Sequence, residues 1–243
     1  MSKHATRTIV SADAKPRRKV LVLENLTFRD LTRQSLTLRN ANLTICENDL
    51  VTIGLPPSME SRAFTSMLQG LRMPQDGRVL YDGNDWSGEN YVLHDRMRSE
   101  IGRVFDGKAW VENMNIYENV VLAQRHHRNR PLHELDHEIQ YWSRRFGIEP
   151  MNSQRPAFVG KTFLRICEWI RALIGSPRLL LLEHPMRSVP SSRFESLIQA
   201  VVSAIEAGAA ALWIAPESDL PRDQFPPSTR HFCVREFQLS PVG

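Results

Sequence analysis

The residues most able to do chemistry lie at positions 54–61, which read Gly54-Leu55-Pro56-Pro57-Ser58-Met59-Glu60-Ser61. A loop that cradles nucleotide phosphates follows G-x-x-x-x-G-K-[ST]. Its glycines let backbone N–H groups close around the phosphates, and its lysine meets their charge. Gly54 and Ser61 occupy their places in that pattern, but Met59 stands at the second glycine and Glu60 at the lysine. The substitution reverses the charge that faces a phosphate. Two unit charges about 4 Å apart interact by roughly 4 kcal/mol at an effective dielectric near 20. A lost attraction plus a new repulsion is therefore worth several decades of affinity. A plainer reading is also open: Glu60 is a solvated acid at a helix N-terminus, where the macrodipole favours it.

Such a loop needs a strand behind it and a helix in front. Leu50-Val51-Thr52-Ile53 supplies an apolar strand, and Ala63 to Leu71 reads as a helix. Phe163, Cys167, Ile170 and Ile174 recur at helical spacing and are predicted to face a sheet. Ser192 and Glu195 fit a capping box before the stripe Phe194, Leu197, Ile198, Val201, Val202 and Ile205. Gly208 is expected to stop that helix, and Ala210 to Ile214 reads as a buried strand.

Composition fits one domain. The 243 residues are enough to bury a single α/β core. No apolar run approaches the ~20 residues of a membrane span, and the polar N-terminus carries no signal-peptide pattern. Three scattered cysteines (Cys46, Cys167, Cys233) read as reduced, cytoplasmic and structural. Residues 1–18 form a basic tail ending in Lys15-Pro16-Arg17-Arg18-Lys19. It is either a solubilising tail or a contact for an anionic leaflet or nucleic acid. A net charge of +4 and the local cluster Arg125, Arg128 and Arg130 give nucleic acid little further support. His133 and His137 are four apart on an expected helix, but no third ligand accompanies them. His94, His126, His127 and His231 show no metal spacing either, so no metal site is expected.

Several ordered segments resemble the ATP-binding cassette (ABC) proteins. Phe64-Thr65-Ser66-Met67-Leu68-Gln69-Gly70-Leu71 and Pro74 to Gly83 match the end of the first helix and the hairpin after it. Ile101-Gly102-Arg103-Val104-Phe105-Asp106 is similar to the strand that ends in the Q-loop. Ala109 to Val120 resembles the segment that follows, and its Met114-Asn115-Ile116 is most similar to ATPases of Mla/Mce-type lipid transporters. Arg171 to Pro185 resembles the helix and Walker B strand. The resemblance spans about residues 20–221. It implies an α/β fold: an ABC-type nucleotide-binding domain with a RecA-like α/β core, an N-terminal antiparallel β region and a helical subdomain at about 106–165, all within 19–243.

The resemblance also implies site residues, and most are altered. The adenine-stacking position is Asp30. The degenerate Walker A loop comprises Gly54, Ser58, Met59, Glu60 and Ser61. The Q-loop glutamine is Asp106. The signature motif covers Val159 to Phe163, with Gly160, Lys161 and Thr162 replacing its serine and glycines. The Walker B aspartate is Glu183, and the catalytic glutamate is His184. The D-loop aspartate is Pro190, and neither Pro216 nor Ser218 can replace the switch histidine. Phosphoryl transfer depends on positioning and electrostatics, so losing nearly all of these parts removes the reaction. Asp106 and Glu183 make a poor metal pair. No cofactor is expected, and ATP with magnesium only if residual binding survives.

These readings lead to a pseudo-ATPase that serves as a structural or regulatory subunit of an ABC, lipid-type transport system at the inner membrane. Its expected partner is a membrane permease that docks near Trp110, Met114, Tyr117 and Asn119. The plainer alternative is that these four are subdomain packing. A homodimer or cassette heterodimer is also open. In a head-to-tail homodimer Lys161 would face Glu60 of the second copy. Two alternatives stand beside this one: a weak ATPase using Ser61, Glu183 and His184, and a nucleic-acid-associated cassette.

Overall fold

The computed structural model describes residues 16–29, 36–57, 59–107, 109–128 (the Arg128 side chain excepted), 130–149, 151 and 153–242. The elements run in chain order as β1 (Lys19–Arg29), β2 (Thr37–Cys46), β3 (Leu50–Leu55), α1 (Arg62–Leu68), β4 (Asp76–Tyr81), β5 (Asn84–Asp85), α2 (Tyr91–Ser99) and β6 (Ile101–Val104). There follow α3 (Ile116–Arg128), α4 (Leu132–Arg145), α5 (Lys161–Leu173), β7 (Leu179–Glu183), α6 (Phe194–Glu206), β8 (Ala210–Pro216), β9 (Arg230–Arg235) and β10 (Gln238–Pro241). Short 3-10 turns occupy Pro156–Phe158, Ser191–Arg193, Glu217–Asp219 and Arg222–Gln224.

Two sheets result. The N-terminal one is antiparallel, in the order β2-β1-β4-β5. The central one has the order β10-β9-β3-β8-β7-β6 and is parallel except for the edge pair β9–β10. A strand in a parallel sheet is covered on both faces and so reads as a continuous apolar run. Every residue of β3 and of Leu179–Glu183 is buried accordingly. One core lies between the two sheets and takes in Phe64, Met67 and Leu68 of α1. The other lies beneath the central sheet and joins α3, α4, α5 and α6 to it. The C-terminal ends of β3, β6 and β7 thus meet at one edge, which is where parallel α/β sheets place their ligands.

Two glycines are required by this packing. A Cβ on Gly102 would stand 1.9 Å from the Ala172 carbonyl oxygen, so only glycine lets β6 lie against α5. Gly70 sits at φ 65° against Trp86 and ends α1, which stops at Leu68 rather than at the expected Leu71.

The other expected helices fall close to their predicted ranges. Cys167, Ile170 and Ile174 are buried as expected, with Phe163 half-buried beside them. The capping box does not form. The chain makes a 3-10 turn at Ser191–Arg193, so α6 starts at Phe194 with Arg193 at its N-cap and no side-chain cap bond. Of the basic tail, residues 1–15 lie outside the described residues. Its last arginines are tied down: Arg17 pairs with Asp49 at 2.5 Å, and Arg18 pairs with Asp82. All three cysteines are free thiols.

Candidate functional site

The loop after β3 leaves Leu55 and closes on itself, the Met59 N–H donating to the Pro56 carbonyl at 3.2 Å. Met59 is half-buried and packs on the core between the sheets. The Glu60 carbonyl accepts from the Leu36 N–H at 3.0 Å, while the Glu60 side chain is exposed. Ser61 is fully buried at the N-cap of α1. Its hydroxyl does not cap the helix; it donates to Glu183 Oε2 at 2.9 Å. Ser58 and Asp30 lie outside the described residues.

The other oxygen of Glu183 is taken by a residue that sequence reasoning passed over. Arg103 Nε donates to Glu183 Oε1 at 2.6 Å, with both side chains almost wholly buried. The Arg103 side chain threads between β6 and the underside of α1. Its terminal nitrogens reach Thr65 Oγ1 at 2.6 Å, Gln69 Oε1 at 2.7 Å, the Arg62 carbonyl at 3.2 Å and Ser66 Oγ at 3.3 Å. The Phe105 ring lies 4.4 Å from the guanidinium carbon and continues to Arg171 at 5.5 Å. Burial lowers the Arg103 pKa and the Glu183 carboxylate opposes that shift. A guanidinium stays charged regardless. The signal in the sequence was a charged residue one step before Val104 on a strand whose partner, Leu181, is fully buried.

His184 follows Glu183 with left-handed backbone, φ 41°, and its N–H is held by the Ile214 carbonyl at 2.7 Å. Its ring faces two charges. Arg187 Nη2 lies 2.9 Å from Nδ1, and Asp106 Oδ2 lies 3.7 Å from Nε2. Arg187 also pairs directly with Asp106. Burial is the main cause that lowers the His184 pKa, so the imidazole is neutral; a donor from Arg187 at Nδ1 assigns its proton to Nε2. Asp106 and Glu183 therefore do not combine into one metal pair, because each carboxylate is committed to its own arginine.

At the other rim, Gly160 precedes α5 in extended conformation. Lys161 is exposed and Thr162 Oγ1 donates to the Ser188 carbonyl at 2.7 Å. Nearby, a cavity of about 530 Å³ opens between β6, α3 and the 105–111 segment, lined by Leu71, Phe105, Val111, Leu122 and Arg171 among others. Of the four residues expected to bind a partner, one is internal and another is bonded to a neighbouring helix. Asn119 is buried; its amide donates to the Val111, Met114 and Asn115 carbonyls and accepts the Val111 N–H. The Tyr117 hydroxyl donates to Asp136 at 2.8 Å and is pushed up to about 12, mainly by desolvation. Trp110 stacks on Arg171 at 5.1 Å, and Met114 is half-buried. The groove instead presents Val111 and Leu122, which are 41% and 42% exposed. The structure also brings together what spacing could not. His127 Nδ1 lies 3.1 Å from Asp95, with His126 beside it, on the α2–α3 side of the groove.

No protein-family profile matches the chain. Its sequence does match a glutamate/glutamine/aspartate/asparagine transport ATP-binding protein of Rhodobacter capsulatus, at 22% identity over 74% of this chain and 68% of that protein. It matches the intermembrane phospholipid transport ATP-binding protein of Haemophilus influenzae, at 22% identity over 68% of this chain and 62% of that protein. A spermidine/putrescine import ATP-binding protein of Spiroplasma citri is 23% identical over 74% of this chain and only 51% of that protein. A dimeric ATP-binding cassette in a post-hydrolysis state with ADP and phosphate superposes with TM-score 0.75 at 19% identity, over 90% of this chain and 96% of that one. The fold is that of an ATP-binding cassette. An ATP-binding subunit of an ABC transporter superposes equally well, with TM-score 0.75 at 14% identity over 90% of this chain and 88% of that one.

Within the cassette, the described residues do not fit a nucleotide-bound metal. The Ser61 hydroxyl donates its proton to Glu183 Oε2, and a fixed guanidinium lies against the other oxygen of the same carboxylate, where a second cation would meet its repulsion. Glu60 adds a second negative charge at the loop.

Proposed function

We propose that this cassette is a nucleotide-independent subunit, structural or regulatory, of an ABC-type transport system. The observation that carries this reading is the orientation at the phosphate loop. Glu60 points to solvent from the lysine position while the Ser61 hydroxyl is turned inward onto Glu183. An exposed carboxylate repels a polyphosphate, and a hydroxyl already bonded in the core offers it nothing. A lipid transporter is the favoured system, supported by Met114-Asn115-Ile116 and by the phospholipid-transport relative. The partner is a membrane permease on the cytoplasmic side, seated in the groove that exposes Val111 and Leu122. Among the described residues no helix is long and apolar enough to cross a membrane.

The test is a thermal melt with and without Mg-ATP, joined to capture of the cognate permease. A ligand at about 100 times its Kd stabilises by roughly 2.7 kcal/mol, which raises the melting temperature of a chain this size by roughly 5–10 °C. The expected outcome is no rise at millimolar Mg-ATP. Leu122→Asp is expected to keep the wild-type melt and lose permease capture. A rise with ATP restores the weak-ATPase reading; undiminished capture removes the groove from the docking site.

A further inference from the structure

We infer that Arg103 is a resident cation, holding beside Glu183 the charge that a divalent metal would otherwise supply, so that this core is complete without metal. The inference rests on the nucleotide-independent reading and extends it from the loop to the interior.

The geometry has three parts. A carboxylate buried as deeply as Glu183 requires a positive partner and a hydrogen-bond donor on each oxygen. Arg103 Nε at 2.6 Å and Ser61 Oγ at 2.9 Å meet one oxygen each. The guanidinium is itself saturated. A guanidinium has five N–H donors, and Arg103 has five acceptors in reach: Glu183, Gln69, Thr65, the Arg62 carbonyl and Ser66. These acceptors lie on β7 and on and just after α1, so the arginine ties the phosphate-loop helix to the strand beneath it. Lastly, the cation cannot leave by losing a proton, since a guanidinium does not deprotonate in a protein. A divalent ion at Glu183 would have to share the carboxylate with a fixed positive charge. A metal-binding cassette can exchange its ion; this one has a covalently attached replacement.

The experiment uses the full chain and Mn2+, with melting temperature and electron paramagnetic resonance as readouts. The wild type is expected to melt at the same temperature with EDTA, Mg2+ or Mn2+ and to show no bound Mn2+. Arg103→Met leaves Glu183 as a lone buried charge and is expected to melt roughly 10 °C lower. Mn2+ should recover part of that loss and give a bound-ion signal. Arg103→Met with Glu183→Leu removes both charges and should recover part of the loss without metal, even if the single variant fails to fold. The inference is overturned if wild-type protein binds Mn2+ in a manner that Glu183→Gln abolishes, or if the double variant is no more stable than Arg103→Met. A melt raised by ATP alone, with no metal requirement, overturns nucleotide independence and leaves Arg103 in place. A rise that requires Mg2+ overturns both.

Discussion

His184 Nε2 lies 3.7 Å from Asp106 Oδ2, and Arg187 holds the same aspartate while approaching His184 Nδ1 at 2.9 Å. The imidazole thus stands between a carboxylate that favours its charging and a guanidinium that opposes it, in a site where burial dominates and keeps it neutral. A histidine whose folded pKa lies below its unfolded value of about 6.5 binds fewer protons folded than unfolded in that interval. Its contribution is full above about pH 6.5 and is lost as pH falls toward the folded pKa. We expect stability to decline on acidification from about pH 7 to 5.5, with a slope from this group of at most about 1.4 kcal/mol per pH unit. Denaturant titrations of wild type and His184→Gln check it: the variant should show a shallower slope, and an identical slope would remove His184 as the cause.

Asn119 makes its four hydrogen bonds inside the 111–119 segment. Asn119→Ala takes the side-chain partner from the Met114 carbonyl and the Val111 N–H, while Val111 and Asn115 keep the backbone donors on their carbonyls, so the cost is about 1 kcal/mol. Hydrogen exchange should speed up at residues 111–115 while the central sheet stays protected. If exchange there is unchanged, the amide does not hold the groove wall.

Gly102 permits the approach of β6 to α5. Gly102→Ala places a methyl group against the Ala172 carbonyl oxygen, which cannot move without shifting the helix. Overpacking of this kind costs typically 1–3 kcal/mol, so the melting temperature should drop by roughly 2–12 °C. The Arg103 contacts depend on the same strand, so this variant should also disturb Arg103→Met additivity in a double-mutant cycle.

Of the three free thiols, Cys167 and Cys233 are buried, and burial pushes the Cys167 pKa up to about 12. A thiol that stays protonated and covered is inert. An Ellman titration of native protein should label Cys46 alone, and all three should react in denaturant. Fast native labelling of Cys167 would show that the core beneath the central sheet opens.

The architecture was legible because it is written in local patterns. The apolar runs of β3, β7 and β8, the helical stripe of α6, and the hairpin Pro74 to Gly83 each carry their own period or turn chemistry. The failures were local as well. Ser192 and Glu195 have the spacing of a capping box, yet a 3-10 turn ahead of Phe194 moved the helix start past Ser192 and left Glu195 in the first turn. The altered residues at the loop were equally readable, since Met59 and Glu60 stand at fixed offsets from Gly54.

What spacing could not reveal was which side chains meet. Arg103 and Glu183 are eighty residues apart, and nothing in either neighbourhood marks the other. Their pairing exists because β6 lies next to β7 in register. Asn119 fits a docking patch as sequence, but α3 turns it inward to Val111, while Tyr117 beside it bonds Asp136 of α4. The sequence by itself determined the frame and that Met59 and Glu60 stand at the phosphate-loop positions, because both depend on residues close in the chain. Only the tertiary structure decided what fills the site, because a buried charge is satisfied by whatever the sheet brings beside it.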